Sequence, residues 1–452
     1  MQLYTLMKKL HFHYLFMVLA TLVSITVQGQ NPIIRDQFTA DPSARVFNGR
    51  VYVYPSHDIQ APPGKGLRSN WFCMEDYHVF SSSDLTEWTD HGVILSQYTV
   101  PWVDSTSYSM WAPDCIEKDG KYYFYFPSGQ KPEYGRGFTV GVAVADHPEG
   151  PFIPQPKPIK NVRGIDPCPF IDKDGKAYLY WGNIMAAPLQ DNMLELAGDP
   201  VVVKELPARG LKEGPYLFER NGIYYMTYPH VENKTERLEY AISDNPMGPF
   251  TFTGVIMDEH PSGCWTNHHS IIEFNGQRYL FYHHNDFSPR FDKNRSIRID
   301  SLFFNADGTI RKVTPTERGV GLTNARKKIE IDRYSLKSET GAAVAYHDTT
   351  DTFKGWKAIL SDRGSWMQYN AVDFGKKKVK KVRVMAKSEA GSTLQIMLGT
   401  PEGAQLSEVK IPGGAEWTTV QAKVKKGKPG VHNLAVVLKE DQSAEIDWLS
   451  FK

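Results

Sequence analysis

One short motif recurs five times in the first 325 residues of this 452-residue chain. In each copy an Asn-Gly or Asp-Gly pair, which favours a tight hairpin turn, precedes a strand of alternating aromatic residues. The copies are NGRVYVYPSHD from Asn48, DGKYYFYFPSG from Asp119, DGKAYLYWGN from Asp174, NGIYYMTYPH from Asn221 and NGQRYLFYHH from Asn275. Their turn glycines are 71, 55, 47 and 54 residues apart. Units of this size with one hairpin each predict an all-β fold, a five-bladed β-propeller with one four-stranded sheet per blade. A β-sandwich with coincidental turns would not explain the repeated content.

The segment before each turn should be the innermost strand of its blade, and all inner strands begin at the central axis of a propeller. Eight or nine residues before the turn glycines stand Asp41, Trp111, Asp166, Glu213 and His268. We therefore expect these five side chains to surround one axial pocket, in which three carboxylates from distant parts of the sequence converge.

Crowded carboxylates in a partly buried pocket raise one another's pKa values, so that one stays protonated as a general acid while another stays ionised as a base. An acid and a base on opposite sides of a sugar ring are the groups that glycoside hydrolysis needs. Two alternatives are an axial cation site and the capping of turns by Asp41 or Asp166 before proline. Capping does not explain Glu213, which precedes Gly-Pro.

Residues 33–325 resemble glycoside hydrolase family 43 in four motifs: ADPSARVFNGRVYVYPSHD, MWAPDCIEKDGKYYFYFP, GIDPCPFIDKDGKAYLYWGN and KEGPYLFERNGIYYMTY. The resemblance implies a five-bladed propeller in which Asp41 is the general base and Glu213 the general acid. Asp166 would set the pKa and orientation of that acid. The family inverts configuration, which requires carboxyl groups about 6.5–9.5 Å apart to seat the attacking water.

The same resemblance suggests further site residues and implies no cofactor for the chemistry itself. His268 would hold a hydrated calcium or sodium ion in the axial channel, or else be a hydrogen-bonded core histidine; His269 should face the opposite side. Trp111 would wall the sugar subsite or pack between blades. Arg295, or alternatively Arg298, would contact sugar hydroxyls.

The repeat stops near residue 325, and short alternating strands then predict a smaller β-sandwich domain. We expect a signal peptide at 1–29, the propeller at 30–325, a linker at 326–332 and the sandwich at 333–452. The segments GSWMQYNAVDFG and IDWLSF resemble a family 6 carbohydrate-binding module.

Ring-stacking aromatic residues are missing from the sugar-binding positions of that module, where this chain has Ile359, Leu360 and Ala415, and Glu445 replaces a common asparagine. We expect the module to pack against the propeller or to have lost that binding site. Its tryptophans Trp366, Trp417 and Trp448 are expected in the core.

The N-terminus predicts export, because Lys8 and Lys9 precede an apolar stretch that ends near the small residue Gly29. A single membrane anchor is the alternative, but the uninterrupted apolar core is short. We expect a periplasmic or secreted protein, not attached to a membrane after cleavage. The four cysteines are widely spaced and are expected to be buried free thiols, with no spacing typical of a structural metal.

A formal net charge of +1 leaves no basic field for nucleic acid. The resemblance implies an inverting, exo-acting hydrolase that removes terminal pentose, as a β-D-xylosidase or an α-L-arabinofuranosidase, from plant hemicellulose or pectin side chains. Its partners would be xylan, arabinoxylan or arabinan, and the long segment 57–77 would wall the pocket. Alternatives are a galactan-cleaving or endo-acting relative, a non-catalytic sugar-binding propeller, and a retaining fructan hydrolase. The last would place an asparagine before the first-blade aspartate, where this chain has Ala40.

Overall fold

The computed structural model describes residues 27–28, 31–207, 209–211, 213–260, 263–425 and 427–452. Within these ranges the chain forms β-strands and one short 3-10 helix, and no helix is both long and apolar enough to cross a bilayer. Nearly all of the predicted signal peptide lies outside the described residues. Of that segment only the backbone of Val27–Gln28 is described, and it pairs with Glu87 and Trp88.

Five antiparallel sheets follow one another along the first 302 residues. The first sheet contains β1 (Val27–Gln28), β2 (Phe38–Phe47), β3 (Arg50–Asp58), β4 (Asp76–Ser82) and β5 (Glu87–Ser96). The second contains β6 (Asp114–Lys118), β7 (Lys121–Gly129), β8 (Phe138–Ala145) and β9 (Ile153–Pro154), and the third β10 (Cys168–Ile171), β11 (Ala177–Trp181), β12 (Met185–Pro188) and β13 (Val201–Val202). The fourth contains β14 (Tyr216–Arg220), β15 (Ile223–Val231), β16 (Glu236–Ser243) and β17 (Thr251–Met257), and the fifth β18 (Ser270–Phe274), β19 (Gln277–His284) and β20 (Ser296–Leu302).

The five sheets form a closed ring. The innermost strands β2, β6, β10, β14 and β18 each contact the innermost strand of the next sheet, and β18 contacts β2. The segment before β2 completes the ring, because the Ile33 amide donates to the Ile297 carbonyl and the Thr39 amide to the Arg295 carbonyl, both at 2.9 Å. The predicted five-bladed propeller is confirmed, with one difference: the fifth blade has three strands among the described residues, and the N-terminal segment runs beside its last strand.

The turns that carried the sequence prediction have the conformation that their residues favour. In four of the five hairpins both turn residues have positive φ, for example 52° at Asn48 and 73° at Gly49, as a type I′ turn requires. The hairpin at Asp174 and Gly175 differs, because only the glycine has positive φ and the Asp172 amide bonds to the Lys176 carbonyl across a longer loop. Arg45, on the inner strand β2, joins the first blade to the second, with its Nε 2.9 Å from Asp114 Oδ1.

The C-terminal part is a sandwich of two sheets around its own apolar core. One sheet contains β21 (Thr323–Asn324), β23 (Leu336–Lys337), β26 (Trp366–Asp373), β28 (Ser392–Leu398), β29 (Ala404–Ile411) and β31 (Val431–Leu438). The other contains β22 (Ile329–Glu330), β24 (Ala342–Tyr346), β25 (Trp356–Leu360), β27 (Lys381–Ser388), β30 (Gly414–Lys423) and β32 (Ala444–Phe451). The 3-10 helix, Thr352–Lys354, precedes β25.

Two expectations for this domain need correction. The segment expected as a linker, 326–332, contains β22, which pairs with β32, and its Ile329 and Ile331 are fully buried in the sandwich core. Of the three tryptophans expected in the core, Trp448 is buried, but Trp366 and Trp417 are half-buried. Trp417 lies beside His347, with ring centroids 5.0 Å apart.

The sandwich packs against the propeller through aromatic side chains. Phe287, in the loop after β19, lies 5.0 Å from Trp356 and 5.1 Å from Phe353, centroid to centroid, and Phe38 lies 4.7 Å from Phe353. The Tyr346 hydroxyl donates to the Asp286 carbonyl of the same loop. The expected packing between the domains is therefore present, and all four cysteines are free and buried, as expected.

Candidate active site

The inner strands begin around one axial cavity of about 420 Å³. All of the sequence-predicted site residues line it, and they are Asp41, Trp111, Asp166, Glu213, His268 and Arg295. The alternatives are elsewhere: Arg298 binds Asp286 and Glu317, and His269 donates or accepts a hydrogen bond at Thr227 Oγ1, 2.6 Å away.

Asp41 lies at an irregularity in β2, between Ala40 and Ser43, and its φ of 47° is in the left-handed region that aspartate tolerates. Its Oδ1 is 2.7 Å from Arg295 Nη1, and its Oδ2 accepts a hydrogen bond from Ser56 Oγ at 2.6 Å. Burial alone would raise the pKa of Asp41, but the Arg295 guanidinium and the nearby His268 hold it well below its usual value. Asp41 is therefore an ionised carboxylate in the cavity wall.

Arg295 is held in place by Asp58, the last residue of β3. Its Nε and Nη2 each lie 2.9 Å from an oxygen of the Asp58 carboxylate, and its backbone amide donates to the same group. The guanidinium is 2 % exposed. Asp58 thus fixes the cation that keeps Asp41 ionised, a role that its position in the aromatic strand did not reveal.

His283 supports Asp41 from behind. Its Nδ1 accepts the Asp41 amide proton at 3.1 Å, and its Nε2 lies 3.0 Å from the Thr266 carbonyl, so the ring carries its proton on Nε2. Burial, together with the neighbouring Arg295, lowers the pKa of His283 to about 3 and keeps the ring neutral. The sequence showed only a histidine at the end of a repeated strand.

Besides Asp41, three carboxyl groups line the cavity: Asp166, Glu213 and Glu236. Burial raises the pKa of Asp166 well above its usual value, against the attraction of His268, and the charge of Glu213 raises it further. Burial and the charge of Glu213 also raise the pKa of Glu236, to about 8. Because repulsion between carboxylates is mutual, the group as a whole retains a proton near neutral pH.

Sequence reasoning missed Glu236. It begins β16, the third strand of its blade, and lacks the spacing before a turn glycine that marked the others. Its Oε2 accepts a hydrogen bond from the Asn267 amide at 2.8 Å, which aims the carboxyl beside His268. A residue that enters the pocket from a third strand carries no repeat signal.

His268 lies between Asp41 and Asp166. Its Nδ1 is 3.6 Å from Asp41 Oδ1 and 4.0 Å from Asp166 Oδ2. Burial would lower the pKa of His268, but these two carboxylates raise it to about 9. The imidazole and carboxylates suit a cation, but they do not form a compact three-ligand group among the described residues. An axial ion would therefore be held largely through water molecules, which would complete an oxygen shell.

The segment that carries Glu213 is anchored by His230. The His230 Nδ1 lies 2.9 Å from Glu239 Oε1, and its Nε2 lies 2.8 Å from the Arg209 carbonyl. Gly210 fits closely against this pair, with φ of 79°, and an added Cβ would stand 2.3 Å from the Val231 carbonyl. The local backbone is thus tied to the end of β15.

Aromatic side chains form the apolar wall of the cavity. Trp111 lies 5.0 Å from Phe138 and 6.1 Å from Phe72, centroid to centroid, so it both lines the cavity and packs between neighbouring side chains. The long segment after β3 contributes Leu67, Trp71 and Phe72 to the same wall. Flat apolar faces beside polar groups suit a sugar, which has apolar C–H faces and hydroxyl edges.

Comparisons with known proteins agree with this geometry. Residues 29–310 match the model of glycosyl hydrolases family 43, and residues 336–452 match that of carbohydrate binding module (family 6). Xylosidase/arabinosidase 43A of Humicola insolens is 38 % identical over an alignment of 330 residues, which covers 62 % of this chain and 98 % of the relative.

Two solved structures show the fold. A β-xylosidase/α-arabinofuranosidase from a compost microbial metagenome, solved with xylotriose in a calcium-free form, matches with a TM-score of 0.57 and 38 % identity, over 63 % of this chain and 97 % of its own. An arabinoxylan arabinofuranohydrolase from Bacillus subtilis, 24 % identical, shares the fold over 94 % of this chain and 99 % of its own, with a TM-score of 0.55. With the family model covering more than half of its length, the chain belongs to glycosyl hydrolase family 43.

Proposed function

We propose that the chain hydrolyses terminal pentose units from plant hemicellulose or pectin side chains, as a β-D-xylosidase, an α-L-arabinofuranosidase or both, with inversion of configuration. The observation that carries the proposal is the pairing of an ionised carboxylate, Asp41, with a proton-retaining carboxyl group across one aromatic-walled cavity. The names of the relatives, xylosidase/arabinosidase and β-xylosidase/α-arabinofuranosidase, support the choice of sugar.

The proposed reaction is a single displacement. Asp41 removes a proton from a water molecule, whose oxygen attacks the anomeric carbon. The bond between that carbon and the leaving oxygen breaks, and Glu213 donates its proton to the departing oxygen. Asp41 ends protonated and Glu213 ionised, and exchange with solvent restores both groups.

The remaining charged groups set the protonation states. By mutual repulsion, Asp166 helps to keep a proton on the group of carboxyls that it forms with Glu213 and Glu236. Its φ of 58° before Pro167 is a conformation that few residues adopt without support from the surrounding structure. Arg295 keeps Asp41 ionised and retains N–H groups for sugar hydroxyls. Trp111 and Phe138 supply an apolar face for the ring.

The walls favour exo action. The segment 59–75 contributes Leu67, Trp71 and Phe72 on one side, and Trp265 stands on another. A cavity of about 420 Å³ is suited to one or two sugar units, and not to a long open cleft. A galactan-cleaving or endo-acting enzyme is the second candidate, and it would leave both 4-nitrophenyl pentosides uncleaved.

We further propose that the axial channel binds a hydrated calcium or sodium ion next to His268. Such an ion would balance the negative charge of Asp41 and Asp166, as the protonated imidazole of His268 does without it. Dialysis against a chelator, followed by addition of calcium, should change the thermal unfolding midpoint of the wild type but not of His268→Asn. An equal calcium response in the variant would contradict an ion at His268.

We also propose that the chain is exported and that the sandwich has a supporting role. The predicted signal peptide at 1–29 would direct the chain to the periplasm or outside the cell, where xylan, arabinoxylan and arabinan are encountered. The carbohydrate-binding-module-like domain would act by supporting the propeller, since its Phe353 and Trp356 rings pack on Phe287 and the stacking positions lack aromatic residues.

The test is the release of 4-nitrophenol from its β-D-xyloside and α-L-arabinofuranoside by wild type and by Glu213→Ala. Wild type should cleave one or both, and on xylobiose, whose sugar leaving group needs protonation, the variant should lose activity by about a hundredfold or more. Glu219→Ala, at a half-buried position on β14 and outside the cavity lining, is the matched control. If wild type cleaves neither glycoside, nor arabinan nor arabinoxylan, the pentosidase proposal is wrong, and galactan or a purely binding role comes next.

A further inference from the structure

The first blade carries a compact group of two histidines and one aspartate outside the catalytic cavity. His57 lies near the end of β3, and Asp76 and His78 lie at the start of β4. One ligand atom from each side chain lies within 4.8 Å of the other two. Asp76 and His78 are two residues apart on one strand and therefore point to the same face, and His57 belongs to the neighbouring strand.

The donor set suits a first-row divalent metal ion such as zinc. Two imidazoles and one carboxylate are zinc ligands, whereas calcium and magnesium prefer oxygen alone. His57 Nδ1 and Asp76 Oδ1 are 2.7 Å apart, and the rings of His57 and His78 are 4.8 Å apart, centroid to centroid. Ligand atoms at about 2.1 Å from zinc are separated by roughly 3.4 Å, so small rotations of these side chains would close the site.

A second carboxylate orients one of the ligands. Asp90 accepts a hydrogen bond from His78 Nδ1, with its oxygens 3.0 and 3.1 Å away, which leaves Nε2 of that ring for an ion. Asp90 is itself held by Gln37 Nε2 at 3.2 Å. A carboxylate behind a ligating histidine is the usual support of a metal site.

The group is accessible and free of competing cations. The side chains of His57, Asp76 and His78 are 15–18 % exposed. None of the ion pairs among the described residues joins a lysine or arginine to Asp76 or Asp90. The described part of the chain has one other group of three possible metal ligands, and in that group a cation already pairs with the carboxylates.

In that second group, His230, Glu232 and Glu239, an arginine already fills the position of a cation. Arg237 Nε lies 2.6 Å from Glu239 Oε1, and its Nη2 lies 3.4 Å from Glu232 Oε2. A metal ion would have to displace this guanidinium, so the first-blade group is the better site.

We propose that His57, Asp76 and His78 bind one zinc-type divalent ion, with Asp90 as the supporting carboxylate. His57 stands just before the segment 59–75 and Asp76 just after it, so an ion joining them would tie the two ends of this segment together. That segment carries Trp71 and Phe72 in the wall of the catalytic cavity. The metal site itself does not rest on the proposed function.

The test is calorimetric titration of the full chain, freed of metal by a chelator, with zinc sulfate. Wild type should bind one ion, His78→Ala should lose that binding, and Asp90→Asn should bind about 10- to 100-fold more weakly. His147→Ala, which removes an exposed histidine of the second blade, is the matched control and should bind as wild type. Zinc should also raise the thermal unfolding midpoint of wild type and of the control, but not of His78→Ala.

Circular dichroism of each metal-free variant checks that it folds, and His57→Gln provides a second ligand variant if His78→Ala does not. The absence of zinc binding by wild type would overturn the proposal. So would binding that persists with equal affinity in both ligand variants, since the ion would then lie elsewhere, for example in the catalytic cavity.

Discussion

Replacing Arg295 with glutamine removes the cation that keeps Asp41 ionised. Arg295 Nη1 lies 2.7 Å from Asp41 Oδ1, and both groups are almost fully buried. Unit charges about 4 Å apart interact by roughly 4 kcal/mol at an effective dielectric constant of about 20, which corresponds to about three pH units. His268 also stabilises the Asp41 carboxylate, so we expect a shift of between about one and three units.

The direction of the change in the pKa of Asp41 follows from its surroundings in wild type. In wild type the pKa of Asp41 is lowered, so the base remains ionised over the whole acid range of the assay. Without the guanidinium, burial dominates and raises the pKa of Asp41, so Asp41 takes up a proton at higher pH. Arg295→Gln should therefore lose kcat/KM at the acid end of the pH profile, where Asp41 of wild type is still ionised.

The assay is the pH dependence of kcat/KM on the 4-nitrophenyl glycoside that wild type cleaves. Arg295→Lys is the control, because it retains the charge but loses the two-bond contact with Asp58. Its acid limb should move less than that of Arg295→Gln, even where kcat/KM falls. If Arg295→Gln lowers kcat/KM equally at every pH, Arg295 acts only on the substrate and our account of Asp41 is refuted.

Three further predictions concern the loop of the proposed acid, the domain interface and the axial histidine. Gly210→Ala should lower kcat by about tenfold or more and also lower the thermal unfolding midpoint, because its Cβ would stand 2.3 Å from the Val231 carbonyl at a φ of 79° and displace the loop that carries the acid. Phe287→Ala should lower the free energy of unfolding by about 3–5 kcal/mol in urea denaturation, because this 1 % exposed ring packs on Trp356. The pKa of His268 is raised to about 9, so its protonated imidazole stabilises the fold fully below pH 6.5, and this stabilisation is lost as the pH rises to 9. The difference in the free energy of unfolding between wild type and His268→Asn should therefore shrink by at most about 3 kcal/mol over that range, measured at low ionic strength without divalent ions.

Each of these has a clear contrary result. Unchanged kcat in Gly210→Ala would mean that the loop does not position the acid, and Gly222→Ala, at a hairpin turn with open space around it, controls for the effect of a positive φ. A loss of less than about 1 kcal/mol in Phe287→Ala would show that the two domains are stabilised independently. A stability difference for His268→Asn that grows with pH would mean that the imidazole is neutral.

The blade repeat and the three acids were predictable because both follow from local rules. Asn-Gly and Asp-Gly turns fix the hairpins, and counting back from each turn glycine reaches the start of an inner strand at the axis. This placed Asp41, Asp166 and Glu213 in one pocket without any knowledge of contacts. Their chemistry followed from the proximity of like charges.

The supporting residues were not predictable because they depend on tertiary contacts. Glu236 enters the cavity from the third strand of its blade, and Asp58 and His283 lie within repeated aromatic strands that give no sign of a role at Asp41. The closure of the fifth blade by the N-terminal segment was missed for the same reason. Trp417, expected in the core, lies on β30, whose residues are all half-buried or exposed.

The most direct test of the central claim is the stereochemistry of the first product, followed by proton NMR during hydrolysis of xylobiose or of the 4-nitrophenyl β-D-xyloside by wild type. A single displacement by a water molecule that Asp41 activates predicts that α-xylose appears first and β-xylose only later, by mutarotation. If arabinose is the substrate, the α-L-arabinofuranoside should likewise release the β-anomer first. Initial release of the anomer that retains the substrate's configuration would contradict the roles assigned to Asp41 and Glu213.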